Sequence, residues 1–219
     1  MAVAQRFWSA HLGVPASGGV VVTDDATSVQ AVRIGDRSFV RIPSAVASAT
    51  AQLRMDAWFD PNVVSDLPFD RRAHARLAYA DRSDVDPTSD PTVVTLRHDD
   101  SRVRSLARDL SDAEWEESGL GRGAELTGWH GIELAGRLVA IAAYENWDDL
   151  LAHVCVATAT DHRGRGHATN AARATVAHAF DAGLVAQWRS SVDNPASHAV
   201  GARLGFVDIG EQLVYRPTS

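Results

Sequence analysis

Residues 154–180 read VCVATATDHRGRGHATNAARATVAHAF, and the fold turns on this stretch. An apolar run ends near Thr158, a polar turn follows, and a long helix starts at about Gly166. Gly164 and Gly166 let backbone N–H groups point inward with no Cβ in the way, and a helix N-terminus adds a partial positive charge. The turn is therefore an anion site of a kind that fits a pyrophosphate. An ordinary glycine-containing strand-to-helix turn with solvated arginines has the same local pattern. The dinucleotide-binding fingerprint fails, because the third glycine position counted from Gly164 is Thr169 and no acidic residue closes a following strand.

Working outward, LLAHVCVAT (150–158) is apolar enough to be a central strand, and GWHGIEL and RLVAIAAYE flank Ala135-Gly136 as a hairpin. Upstream lie a strand VVTLR, a helix SRVRSLARDL and a second helix opening at Ser111, with Glu114 completing a capping box. Downstream, LVAQWRSSV reads as a strand, Pro195 to Leu204 as a helix and FVDIGEQLVYR as a closing hairpin. The pattern is α/β with a mixed sheet.

The first third reads differently. AVAQRFWSAHLG carries Phe7, Trp8 and Leu12 at helical spacing, with Gly13 and Pro15 to stop it. GVVVTD, SVQAVRI and RSFVRIP suggest two or three antiparallel strands with a tight turn at Gly35-Asp36, and Ser44 is placed to cap a helix AVASATAQLRMDAWF. Pro61, Pro68 and a polar run signal irregular structure, with a further helix near Arg71 to Tyr79. The acidic, Pro- and Ser-rich run Asp81 to Thr92 reads as a linker. It separates a smaller N-terminal α+β lobe, 1–85, from a domain at 92–219.

Composition removes several functions. The chain has 219 residues, 45% of them hydrophobic, enough to bury a full core. No apolar run approaches the ~18 residues of a membrane helix and no basic-then-apolar leader opens the chain, so no membrane partner and a cytoplasmic location are expected. All 21 basic residues are arginine, which rules out a Schiff-base lysine and the lysine of a Walker loop. Cys155 stands alone and the nine histidines show no metal-ligand spacing, so no disulfide and no metal are expected. A net charge of −7 disfavours nucleic acid and suits a cationic amine.

RGRGHA resembles the GNAT superfamily pattern of Arg or Gln, two residues, Gly, one residue, then Gly or Ala, with Arg163, Gly166 and Ala168 in place. NPASHAVGARLGF resembles that family's later Asn-x-x-Ser helix and Leu-Gly-Phe, through Asn194, Ser197, Leu204, Gly205 and Phe206. The resemblance covers about Thr92 to Pro217. It implies a mixed sheet with helices on both faces and an acetyl-CoA-dependent N-acetyltransferase. The N-terminal lobe would be a degenerate acyltransferase-like half or a substrate lid.

By that resemblance Val156, Ala157 and Thr158 present backbone groups to the pantetheine arm. The phosphates lie over Arg163, Gly164, Arg165, Gly166, His167, Ala168 and Thr169. Asn194 holds the pantetheine, or caps the helix at Pro195, and Ser197 lies close to the thioester sulfur. His153, on the central strand where relatives often carry a glutamate, is the first candidate for general base, and Glu145 the second, acting through water. A histidine satisfied within the core and a solvated loop acid are the plain alternatives. Many relatives place a tyrosine four residues after the motif serine to protonate the thiolate. Gly201 stands there, leaving Ser197, Tyr144 or water. The acidic helix SDAEWEESGL would wall the acceptor site and favour cationic amines. The expected acceptor is a small-molecule amine. A protein N-terminus or side chain, or a non-catalytic acyl-CoA-binding regulatory module, is the competing reading, with a homodimer as one assembly the chain could form.

Overall fold

The computed structural model describes residues 1–60, 69–85 and 90–218. In chain order the first elements are α1 (Ala2–Leu12), β1 (Gly19–Thr23), β2 (Val29–Ile34), β3 (Arg37–Pro43), α2 (Ser44–Thr50), β4 (Phe69–Ala80) and β5 (Val93–Thr95). Then come α3 (Ser101–Arg108), α4 (Asp112–Glu117), β6 (Leu126–Leu134), β7 (Arg137–Trp147) and β8 (Leu151–Thr158). The last are α5 (His167–Asp181), β9 (Val185–Ser191), α6 (Pro195–Arg203) and β10 (Val207–Pro217). Contacts divide the chain into two compact units, one of Met1–Ala78, Arg189–Pro195 and Asp208–Ser219, the other of Tyr79–Trp188 and Ala196–Val207. The final segment, assigned from sequence to the second domain, thus groups with the first unit.

In the first unit the strands run in the order β1, β3, β2, β10. Gly35, at φ 60°, closes the tight β2–β3 hairpin. β10 pairs antiparallel with the other edge of β2, from Gly210↔Ile34 to Tyr215↔Val29. That edge is taken, so β1 adds to the free edge of β3, parallel to it and not antiparallel as expected. The core gathers Val29, Ala31, Val40, Trp58, Leu213 and Tyr215, and the Tyr215 hydroxyl donates to the Trp58 carbonyl at 2.8 Å.

Three expectations fail here for tertiary reasons. The helix expected over 45–59 breaks into α2 and a short 3-10 segment, Met55–Phe59, and Pro43 holds the N-cap position that was expected at Ser44. Thr50 closes α2 by bonding back to the Val46 and Ala47 carbonyls, and the break lets Trp58 reach the core. The segment Arg71 to Tyr79 is a strand: Leu77, Ala78, Tyr79 and Ala80 are buried in succession, which a strand covered on both faces allows and an amphipathic helix does not. The closing hairpin is a single strand, because Gly210 serves a close approach. A Cβ there would meet the Arg33 carbonyl oxygen at 2.2 Å. The irregular structure expected at Pro61 and Pro68, and part of the expected linker, lie outside the described residues.

The second unit is built on a mixed sheet in the order β9, β8, β7, β6, β5, with β8–β9 parallel and the other pairs antiparallel. Ala135 and Gly136, both at positive φ, make the predicted turn between β6 and β7. One face packs Ile141, Ala143, Cys155 and Ala157 against Val103 and Leu106 of α3. On the other face lies α5, whose Ala171, Ala172, Val176 and Ala179 are wholly buried; small side chains on helix and sheet let the two backbones come close. The expected α/β class, with helices on both faces, is what the structure has. No helix among the described residues is long and apolar enough to cross a membrane.

Candidate active site

The glycine turn follows β8 directly. Gly164 and Gly166 have φ of 74° and 84°, and a Cβ on either would meet nothing within 4 Å, so backbone conformation and not packing demands glycine there. Gly166 is the N-cap of α5. It offers no side-chain cap, and the first ladder bond runs from the Asn170 N–H to its carbonyl at 3.1 Å. The N–H groups of His167, Ala168 and Thr169 are therefore the open donors of a 15-residue helix, beside the exposed Arg165.

Ion pairs brace this turn. Arg163 donates to the Thr158 carbonyl at 3.3 Å and to Glu114 at 2.8 Å, and Arg137 bridges Asp109 and Asp161 at 3.0 and 2.8 Å. Glu114 is also the capping-box residue of α4. Hydrogen bonds from the Ser111 backbone and hydroxyl, then from Arg163, hold its carboxyl at a pKa of about 2. One of the four carboxylates expected to wall an acceptor is thus engaged in holding the turn, and the Arg163 side chain with it.

β8 itself supplies the second feature. It pairs with β7 along its whole length to Thr158, yet among the described residues it pairs with β9 only at Leu151↔Val185, Ala152↔Ala186 and His153↔Gln187. From Val154 to Thr158, about 16 Å of strand at ~3.3 Å per residue, the edge of β8 turned toward β9 is left without that partner. Val156, Ala157 and Thr158 lie in this gap, which opens toward the glycine turn.

His153 holds the last paired position and is 9% exposed, its ring stacked on Trp147 with centroids 4.6 Å apart. Glu145 is its cross-strand partner on β7 and is ion-paired with Arg122. Both expected bases therefore stand at the closed end of the gap, on one face of the sheet. Ser197 comes to the same end through Trp188, whose indole N–H donates to its hydroxyl at 3.2 Å. Trp188 also explains Gly201, since a Cβ there would lie 2.9 Å from the indole Cγ. Tyr144 goes elsewhere. Its hydroxyl meets His178 Nδ1 at 3.2 Å, eleven residues and roughly 16 Å along α5 from the N-terminal turn. Asn194 belongs to the first unit, where its N–H bonds the Ser191 carbonyl. Sequence reasoning passed over Gln187, Trp188 and Arg122; a glutamine inside the apolar strand LVAQWRSSV was the available signal.

A parallel strand pair that parts in front of an open helix N-terminus, within this mixed sheet, is the arrangement that the resemblance to acyl-CoA-dependent acyltransferases implies. More particularly, the chain belongs to the acetyltransferase (GNAT) family, whose profile matches residues 92–206, just over half of it. That family uses acetyl-CoA as co-substrate. No curated protein sequence matches the chain. Solved structures of similar fold include a GNAT-family protein from Novosphingobium aromaticivorans, 22% identical over 69% of this chain and 68% of that one, with a TM-score of 0.53. A GNAT-family acetyltransferase from Colwellia psychrerythraea is 14% identical over 71% and 60%, with a TM-score of 0.53. A GCN5-related N-acetyltransferase from Kribbella flavida is 18% identical over 72% and 63%, with a TM-score of 0.51. The chain thus spans less than two thirds of the latter two.

Proposed function

We propose that this protein transfers an acetyl group from acetyl-CoA to the primary amine of a small molecule. The parting of β8 from β9 after His153 carries the proposal: it leaves a strand edge for the pantetheine amides and ends at an uncapped helix N-terminus for the phosphates. An alkylammonium, with a pKa near ~10, must lose a proton before it can attack. That proton goes to water as the amine enters; His153 then takes the proton that the attacking nitrogen sheds, with Glu145 behind it and a backbone N–H of β8 polarising the thioester carbonyl. Ser197, held by Trp188, lies on the sulfur side.

The test is to incubate the protein with acetyl-CoA and a pooled amine library, following coenzyme binding and free thiol together. Tight binding with thiol release that depends on amine is the expected result. Failure of the folded protein to bind acetyl-CoA would end the proposal. Gly201 favours one second reading, an acyl-CoA-binding regulatory module, because no hydroxyl stands at that position and Trp188 fills the space beside it. Binding without thiol release from any amine would select it. His153→Ala is expected to lower the transfer rate by 10²-fold or more, the ordinary range for a general base; an unchanged rate and pH profile would remove His153 from the mechanism.

A further inference from the structure

A line of polar side chains crosses the otherwise apolar face that the sheet of the second unit turns toward α3. Pairing places Glu145 opposite His153 and His153 opposite Gln187, so three side chains leave one face of neighbouring strands about 4.8 Å apart. The amide nitrogen of Gln187 donates to the Tyr79 hydroxyl at 2.8 Å and extends the line by one more residue. Along the strands the line is bounded by Trp147, Leu151 and Val185 on one side and by Ala143 and Cys155 on the other.

Gln187 is 0% exposed, and its Oε1 has no hydrogen-bond partner among the described residues. Buried carbonyl oxygens are almost always paired, because a bare one carries its full desolvation cost. Nothing local relieves this oxygen. Nε2 is bonded to the Tyr79 hydroxyl, which leaves Oε1 as the bare end of the amide. The His153↔Gln187 pair is also the last before the strands part, which sets Gln187 at the closed end of the gap, on the same face as the proposed base.

We propose that Gln187 selects a primary amine as acceptor: its Oε1 accepts one N–H of the attacking nitrogen while His153 receives the proton of the other. The assignment rests on the acyl-transfer reading above. In that step the nitrogen bonds to the thioester carbonyl carbon and the C–S bond breaks. Sulfur leaves with the electron pair as thiolate, and the nitrogen's proton passes to His153. A neutral primary amine has two N–H bonds and serves Gln187 and His153 at once. A secondary amine or an alcohol has one hydrogen, so either the buried oxygen stays bare or the proton is not handed over.

Matched pools of primary amines and their N-methyl derivatives test this, with thiol release from acetyl-CoA as the readout for wild type, Gln187→Leu and Gln187→Glu. Wild type is expected to use the primary pool at least about tenfold faster, an ordinary value for one hydrogen bond to a buried group. Gln187→Leu, close to the same size, should lose most of that preference while binding acetyl-CoA as before, and Gln187→Glu, which keeps an acceptor oxygen, should retain it. Leucine removes a bare buried oxygen but also the amide that bonds the Tyr79 hydroxyl, so unchanged acetyl-CoA binding and a cooperative thermal unfolding transition are what exclude misfolding as the cause. A preference that survives in Gln187→Leu is steric, and it overturns the assignment while leaving the acyltransferase reading intact. So does wild-type activity without preference. Absence of thiol release from both pools removes the acyltransferase reading itself, and this assignment with it.

Discussion

Gly201 is buried against Trp188, and the fit leaves no space for a larger residue. Gly201→Tyr, which would restore the hydroxyl common among relatives, is expected to destabilise the fold by about 1–3 kcal/mol through overpacking and to add no activity. Urea denaturation measures the first and thiol release the second. A variant as stable as wild type and faster than it would show that the indole yields. His130 is a second residue whose environment has a readable consequence. Burial, reinforced by the charge of His178 and opposed by the hydrogen bond to the Gly128 carbonyl, lowers its pKa below 6.5. The folded state therefore binds its proton less readily than the unfolded chain. The associated stability is complete above pH 6.5 and is lost as pH falls toward the depressed native value. His130→Gln should flatten the slope of stability between pH 7 and 5; an unchanged slope would mean that other groups carry it.

At the scale of elements, the turn before α5 combines backbone strain with open donors. Gly166→Ala places a Cβ in empty space at φ 84°, so the expected cost is the left-handed conformation alone, about 1–2 kcal/mol. The same change at Gly136, φ 78°, in the β6–β7 turn is the control. Both variants should lose similar stability, but only Gly166→Ala should weaken acetyl-CoA binding, read by calorimetry. Equal affinities would detach the turn from the coenzyme. The brace from α4 has a pH signature of its own. The Glu114 pKa falls from 4.5 to about 2, so its contribution is full above pH 4.5 and disappears as pH drops toward 2. Acid titration of Glu114→Gln should lack that component. The strand and helix that flank the turn were legible because apolar runs and glycines report local geometry. β4 was not: its alanines and arginines suit a helix, and burial among neighbouring strands overrides that preference.

For the whole molecule, the C-terminal segment binds sequence-distant parts together. β10 covers the β2 edge over six paired positions, and Leu213 and Tyr215 enter the core of the first unit. Removal of residues 208–219 is therefore expected to unfold the N-terminal unit, although the family profile ends at Phe206. Limited proteolysis should show new cleavage within residues 19–43. Cleavage confined to the family-matching part would contradict the pairing.

The sequence by itself determined the strand, the glycine turn, the helix after it and the later Asn194-to-Phe206 motif, and with them the family. Each is written in consecutive residues whose backbone preferences are local. It also placed His153 and Glu145 on adjacent strands. Only the tertiary structure decided that β8 and β9 part after His153, that Trp188 takes the space beside Gly201, that Arg163 braces Glu114, and that Gln187 faces the same end as His153. Those facts depend on which strands become neighbours and in what register, and a one-residue change of register would turn each side chain to the opposite face.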